Sequence, residues 1–192
     1  MRQRGRIILA MMLLLAATLA CGGGSGISVN SSVPSQANEG NDALATSQVG
    51  SSRTNPAPAG SVVSAGNMNF AVVGYTRPAT ETVMSANRFN PEPDAFQEYI
   101  FVNLAVTCTR LEDAQCNLAL INLKLLGSQG AERPVRLFVR DVDGLLQGGD
   151  FYGGATISGN VPFIIDRQDA NIMLVYEPFL GDPFYLRIDG GQ

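Results

Sequence analysis

The chain has 192 residues, 45% of them hydrophobic and 16% charged, with 13 Lys and Arg against 17 Asp and Glu, a length that suits one ordinary domain. It holds no histidine and no tryptophan, which removes Ser-His-Asp and Cys-His nucleophiles, histidine-ligated metals and histidine pH switches. A net charge of −4 argues against a nucleic-acid binder.

Arg2, Arg4 and Arg6 make a positive start, and residues 7–20 are an apolar run interrupted only by threonine. Such a run is short for a membrane span and reads as a signal peptide over residues 1–20. Its end, Leu19-Ala20-Cys21 followed by three glycines, resembles a bacterial lipobox, with Thr18 standing where an aliphatic residue is usual. The resemblance implies that Cys21 is lipidated, becomes the mature N-terminus and anchors the chain on the extracytoplasmic face of a membrane in the cell envelope. Simple secretion and an uncleaved anchor stay open, since Thr18 and Ala20 also suit an ordinary signal peptidase. Loss of the three arginines leaves 10 basic residues against 17 acidic ones, a net charge of −7, which favours solubility and repels anionic surfaces. No later segment is long and apolar enough to span a bilayer.

Residues 21–66 read as a lipid-anchored disordered tether. From Gly22 onward they contain no aromatic residue and only Glu39, Asp42 and Arg53 as charges, too little to offset the entropy of ordering. As a flexible coil this stretch would span roughly 35 to 40 Å. All 14 aromatics, nine Phe and five Tyr, lie beyond it, so residues 67–192 are expected to form the globular domain.

Within that domain the hydrophobic period is two. Met68, Phe70 and Val72 alternate first, and Ile100, Val102, Leu104, Val106 and Cys108 alternate with Phe101, Asn103, Ala105 and Thr107, the pattern of a strand with one buried face. Similar alternation runs through 119–125, through Val135, Leu137 and Val139, and through Ile157, Val161, Phe163 and Ile165; 172–176 and 184–188 complete the set. About seven short strands separated by turn signals, with no long amphipathic helix, predict an all-β fold: a two-layer antiparallel immunoglobulin-like β-sandwich. An open barrel is the nearest rival. Cys108 and Cys116 remain as an even pair in an oxidising compartment and are expected to form a disulfide; the rival Cys-x7-Cys metal site lacks two further ligands.

Four stretches, 69–75, 98–108, 154–163 and 171–178 with 184–186, together resemble the immunoglobulin-like domain of unknown function carried by many bacterial lipoproteins and related to a small secreted actinobacterial antigen. The resemblance covers nearly all of residues 67–192 and implies a lipobox, a low-complexity stalk and a sandwich. It implies no activity, no cofactor and no catalytic residue.

Side chains that could carry chemistry read as structure first. Asp141-Val142-Asp143-Gly144 departs from a calcium loop in the place of its glycine and in the missing terminal Glu, so no metal site is assigned. Asp166 and Asp169 flank Arg167 as turn residues, although a carboxylate pair of an envelope hydrolase depends on a separation that sequence does not give. Lys124, the lone lysine, falls on the polar side of its strand. Two long connections, 80–96 and 141–154, hold Arg88, Phe89, Phe151 and Tyr152. Long loops rich in aromatics and arginine suit binding surfaces, and they equally suit plugs over an open end of the core. The expected function is therefore a non-enzymatic binding or interaction module of the cell envelope, tethered to the membrane through Cys21, with a possible envelope protein as partner. An envelope hydrolase and a passive structural lipoprotein are the alternatives.

Overall fold

The computed structural model describes residues 28–30 and 49–189; the expected signal peptide and Cys21 lie outside them. In chain order the described elements are β1 (Ser28–Asn30), β2 (Val62–Ala65), β3 (Met68–Thr76), the single helix α1 (Thr80–Ala86), β4 (Gln97–Cys108), β5 (Gln115–Leu118), β6 (Leu123–Leu126), β7 (Glu132–Pro134), β8 (Gly149–Tyr152), β9 (Thr156–Asp166), β10 (Met173–Tyr176) and β11 (Phe184–Arg187). They form a five-stranded sheet in the order β1-β2-β3-β4-β9, a four-stranded sheet in the order β11-β10-β6-β7, and the ribbon β5-β8. Every pairing of these strands is antiparallel, so the architecture is the expected antiparallel β-sandwich.

The long strand β4 organises the molecule. Its inward residues Ile100, Val102, Leu104 and Val106 are fully buried and meet Phe70, Leu125, Phe163, Leu174 and Phe184 in one core between the sheets. Phe70, Tyr176 and Phe184 stack there, with ring centroids 4.6, 5.0 and 5.6 Å apart, in the tilted geometry aromatic rings prefer. At its end β4 is joined to β5 by the Cys108–Cys116 disulfide. Over its first half β4 is buried on both faces: Tyr99 and Phe101 point outward yet are covered by Ala79 and Val83 beside and within α1, by Val139, and by Ile164 of β9. This second cluster explains why β9, whose sequence alternates, is nevertheless buried at every residue from Val161 to Ile165.

Three expectations are corrected. First, order begins well before residue 67. Val62–Ala65 is a strand paired with β3, Val63 and Ala57 are fully buried, and residues 49–60 are stitched to β11: the Ala57 N–H donates to the Tyr185 carbonyl at 2.8 Å and the Arg187 N–H to the Ala57 carbonyl at 2.9 Å. Small Ala and Val side chains resemble stalk composition, but here Ala57 and Val63 enter the main core and their backbones gain partners that an isolated chain lacks. Second, 119–125 is not one strand. A 3-10 turn at Leu120–Asn122 breaks it and leaves Ile121 70% exposed. Third, 135–140 forms no strand: Val135 and Val139 are buried, whereas Leu137 and Phe138 are exposed. Residues 67–189 thus hold nine strands, β3 to β11, rather than about seven, and the expected loop 80–96 contains α1, two turns long with one buried residue, Val83, too brief to print a helical period.

Candidate functional site

The four residues expected on binding loops divide into three environments. Phe151 pairs with Cys116 across β5 and β8 and is 7% exposed within the main core, so it is a plug and not a contact residue. Its neighbour Tyr152 points the other way and is exposed, as strand alternation requires. Arg88 and Phe89 are exposed on the turn after α1, with the Arg88 guanidinium 4.7 Å from the centre of the Phe89 ring, a cation–π distance. Tyr152 does not join them. The turn after α1 meets the start of β4, where the Tyr99 hydroxyl donates to the Pro91 carbonyl at 2.7 Å; Tyr152 lies by the end of β4, where the Gly154 N–H donates to the Cys108 carbonyl at 2.9 Å.

The turn bearing Arg88 and Phe89 is tied, through the next residue, Asn90, to the turn 135–140. Buried Asn90 locks the two together: its Nδ2 donates to the Val83 carbonyl at 2.8 Å and to the Arg140 carbonyl at 3.0 Å, and its Oδ1 accepts from the Arg140 N–H at 2.8 Å. The Arg136 N–H donates to the Pro162 carbonyl at 2.8 Å. With Val135 and Val139 as inward pegs, Arg136, Leu137, Phe138 and Arg140 all face solvent. One corner therefore gathers Arg88, Arg136 and Arg140 with Phe89 and Phe138, which are 79% and 77% exposed. Among the described residues none of these arginines forms an ion pair, and Asp141, adjacent in sequence, accepts instead from Asn87. The period-two pattern of 135–140 points to a strand and so hides this half of the corner; the one signal in the sequence is the pair of valines four residues apart with Arg136, Leu137 and Phe138 between them.

Beside the corner, α1 and the 141–143 turn enclose an open hollow of about 750 Å³ whose lining includes Glu81, Thr82, Ser85, Asp141, Asp143 and Asn160. Among the described residues no group of acids is arranged to hold a metal ion. Asp166 and Asp169 are engaged structurally. Arg133 Nη2 meets Asp166 Oδ2 at 2.5 Å, and buried Asp169 accepts from the Gln129 N–H at 3.1 Å and the Ser128 hydroxyl at 3.3 Å. Lys124 lies between Glu177 and Glu132, at 2.6 and 2.9 Å.

No protein-family model matches this chain, and no curated protein matches it in sequence. Among solved structures it is similar to ycdA of Bacillus subtilis, described as a lipoprotein, with a TM-score of 0.51 and 19% identity over 67% of this chain and 38% of that one. This chain thus spans well under half of ycdA, and the likeness is one of fold. Weaker superpositions are with MPT63, a secreted protein of Mycobacterium tuberculosis, at a TM-score of 0.47 and 12% identity over 66% of this chain and 83% of that one, and with yjhA of Bacillus subtilis, at 0.48 and 18% over 69% and 99%.

Proposed function

We propose that this protein is a lipid-anchored, extracytoplasmic binding module of the cell envelope, in the manner of the lipoprotein sandwich domains its strands resemble, and that its contact surface is the corner of Arg88, Phe89, Arg136, Phe138 and Arg140. The observation that carries the reading is this clustering: three arginines that form no ion pair among the described residues and two exposed phenylalanines on turns held together by a buried asparagine, in a chain that is acidic overall. Arginine and aromatic side chains supply most of the energy of protein interfaces, and a basic patch on an acidic protein selects a partner with an acidic surface.

The test is photo-crosslinking in the native envelope from a reactive residue at position 138, compared with one at position 179. A discrete adduct from 138 that Arg88→Glu with Arg140→Glu abolishes is the expected result; equal labelling from both positions rejects the surface. Cys21→Ala should shift the protein from the membrane to the soluble fraction, and retention of the processed variant on membranes rejects the anchor.

A further inference from the structure

Seven Cα steps separate Cys21 from Ser28, at most about 25 Å of extended chain. If the anchor is on Cys21, as proposed above, the leash to the first strand is far shorter than a 45-residue tether would be. Ser28 pairs with Ser64, Ser64 with Asn69, Asn69 with Thr107 and Thr107 with Thr156. The chain therefore enters the five-stranded sheet at the end that carries Cys108 and the disulfide.

Three turns share that end. The Thr109 N–H donates to the Asn67 carbonyl at 2.9 Å, and the Gly153 N–H to the Ala114 carbonyl at 2.8 Å. Gly153 lies so close to the carbonyls of Arg110 and Leu111 that no Cβ fits there. Two side chains stand out from these turns, Leu111 at 80% exposure and Tyr152 at 57%.

From this placement we infer that the disulfide end rests on the bilayer that holds the chain's own lipid, with Leu111 and Tyr152 in the headgroup region. The occupant follows from where the chain outside the described residues begins and how short it is. Tyrosine and leucine suit the boundary between headgroups and acyl chains. The charges on the same turn, Arg110, Glu112 and Asp113, sum to −1, so the contact is apolar and needs no attraction to anionic lipid. The arginine–phenylalanine corner then faces away from the membrane. It adjoins Tyr99 and Phe101, and Phe101 lies six residues along β4 from Thr107, roughly 20 Å.

Because the chain has no tryptophan, single introduced tryptophans report their own depth. Acylated mature protein carrying Leu111→Trp, Tyr152→Trp or Phe138→Trp is reconstituted into phosphatidylethanolamine–phosphatidylglycerol vesicles with brominated acyl chains. Emission from positions 111 and 152 should fall about twofold or more against unbrominated vesicles, with position 138 unchanged, as expected for interfacial and distal sites. Absence of quenching at both 111 and 152, or equal quenching at 138, overturns the orientation. Flotation of the same samples separates the causes: protein that fails to float overturns the anchoring and this inference with it, whereas protein that floats without quenching at 111 and 152 overturns the orientation alone.

Discussion

Phe151 and Phe89 carry the same side chain on connections that look alike in sequence, and opposite burial gives them opposite roles. Phe151→Ala should cost about 3 to 5 kcal/mol of stability, because it removes a ring from a packed core. Phe89→Ala should stay within about 0.5 kcal/mol of the parent, as exposed positions do. Urea unfolding midpoints of the two variants check both values, and a Phe89 variant as unstable as the Phe151 variant would return Phe89 to the core. Titration adds a second test at this scale. Burial pushes the Tyr99 and Tyr176 phenols above the usual 10.0, against a lowering by the Arg136 charge and by a hydrogen bond with Asn122 respectively. Hydrogen bonds to Glu177 and then Glu132 raise Lys124 above 10.5. In all three the folded chain holds its proton more tightly than the unfolded one. Their contribution is therefore complete below about pH 10 and is lost as pH rises through the folded values. Melting temperatures should fall with rising pH from about pH 10 upward, and a flat profile to pH 12 would contradict the shifts.

Among the elements, Arg77 bonds to the end of β9 and to the β9–β10 connection. Arg77 donates from Nε to Glu98 Oε1 at 2.6 Å, from Nη1 to the Asp169 carbonyl at 2.6 Å and from Nη2 to the carbonyls of Arg167 and Asp166 at 2.8 and 3.1 Å. The guanidinium fork can serve a carboxylate and three carbonyls at once; the single ammonium of a lysine cannot reproduce that geometry. Arg77→Lys should thus lose most of what Arg77→Met loses, about 2 to 4 kcal/mol for a half-buried, multiply bonded charge. Hydrogen exchange should show early opening of residues 166–171. A lysine variant as stable as the parent would mean that charge alone suffices. Elsewhere, strands with both a clean period and a long partner were legible from sequence: β4 and β9 emerge where alternation places them. Segment 135–140 alternates equally well on paper yet forms a turn, because Val135 and Val139 both find pockets beneath it while no strand edge is paired along its length.

Across the whole molecule, the disulfide closes a short loop, Cys108 to Cys116, and ties the end of β4 to the β5-β8 ribbon. Its reduction should lower stability by about 2 to 3 kcal/mol on the chain-entropy account, seen as a lower melting temperature in reductant with the β-sheet circular dichroism signal retained at 25 °C. Collapse of the sheet signal on reduction would show that the bridge holds the fold rather than trims it. The absence of histidine, the acidic balance, the apolar run before Cys21, the cysteine pair and the period-two strands were all properties of the sequence, because each depends on residue type or on neighbours a few places apart. Tertiary structure alone decided that Val63 and Ala57 belong to the core, that Phe151 is buried, that Asn90 brings 87–90 against 135–140 to make one basic corner, and that β1 enters at the disulfide end. Each of these joins segments tens of residues apart, and whether a small or aromatic side chain is covered depends on what the rest of the chain packs over it.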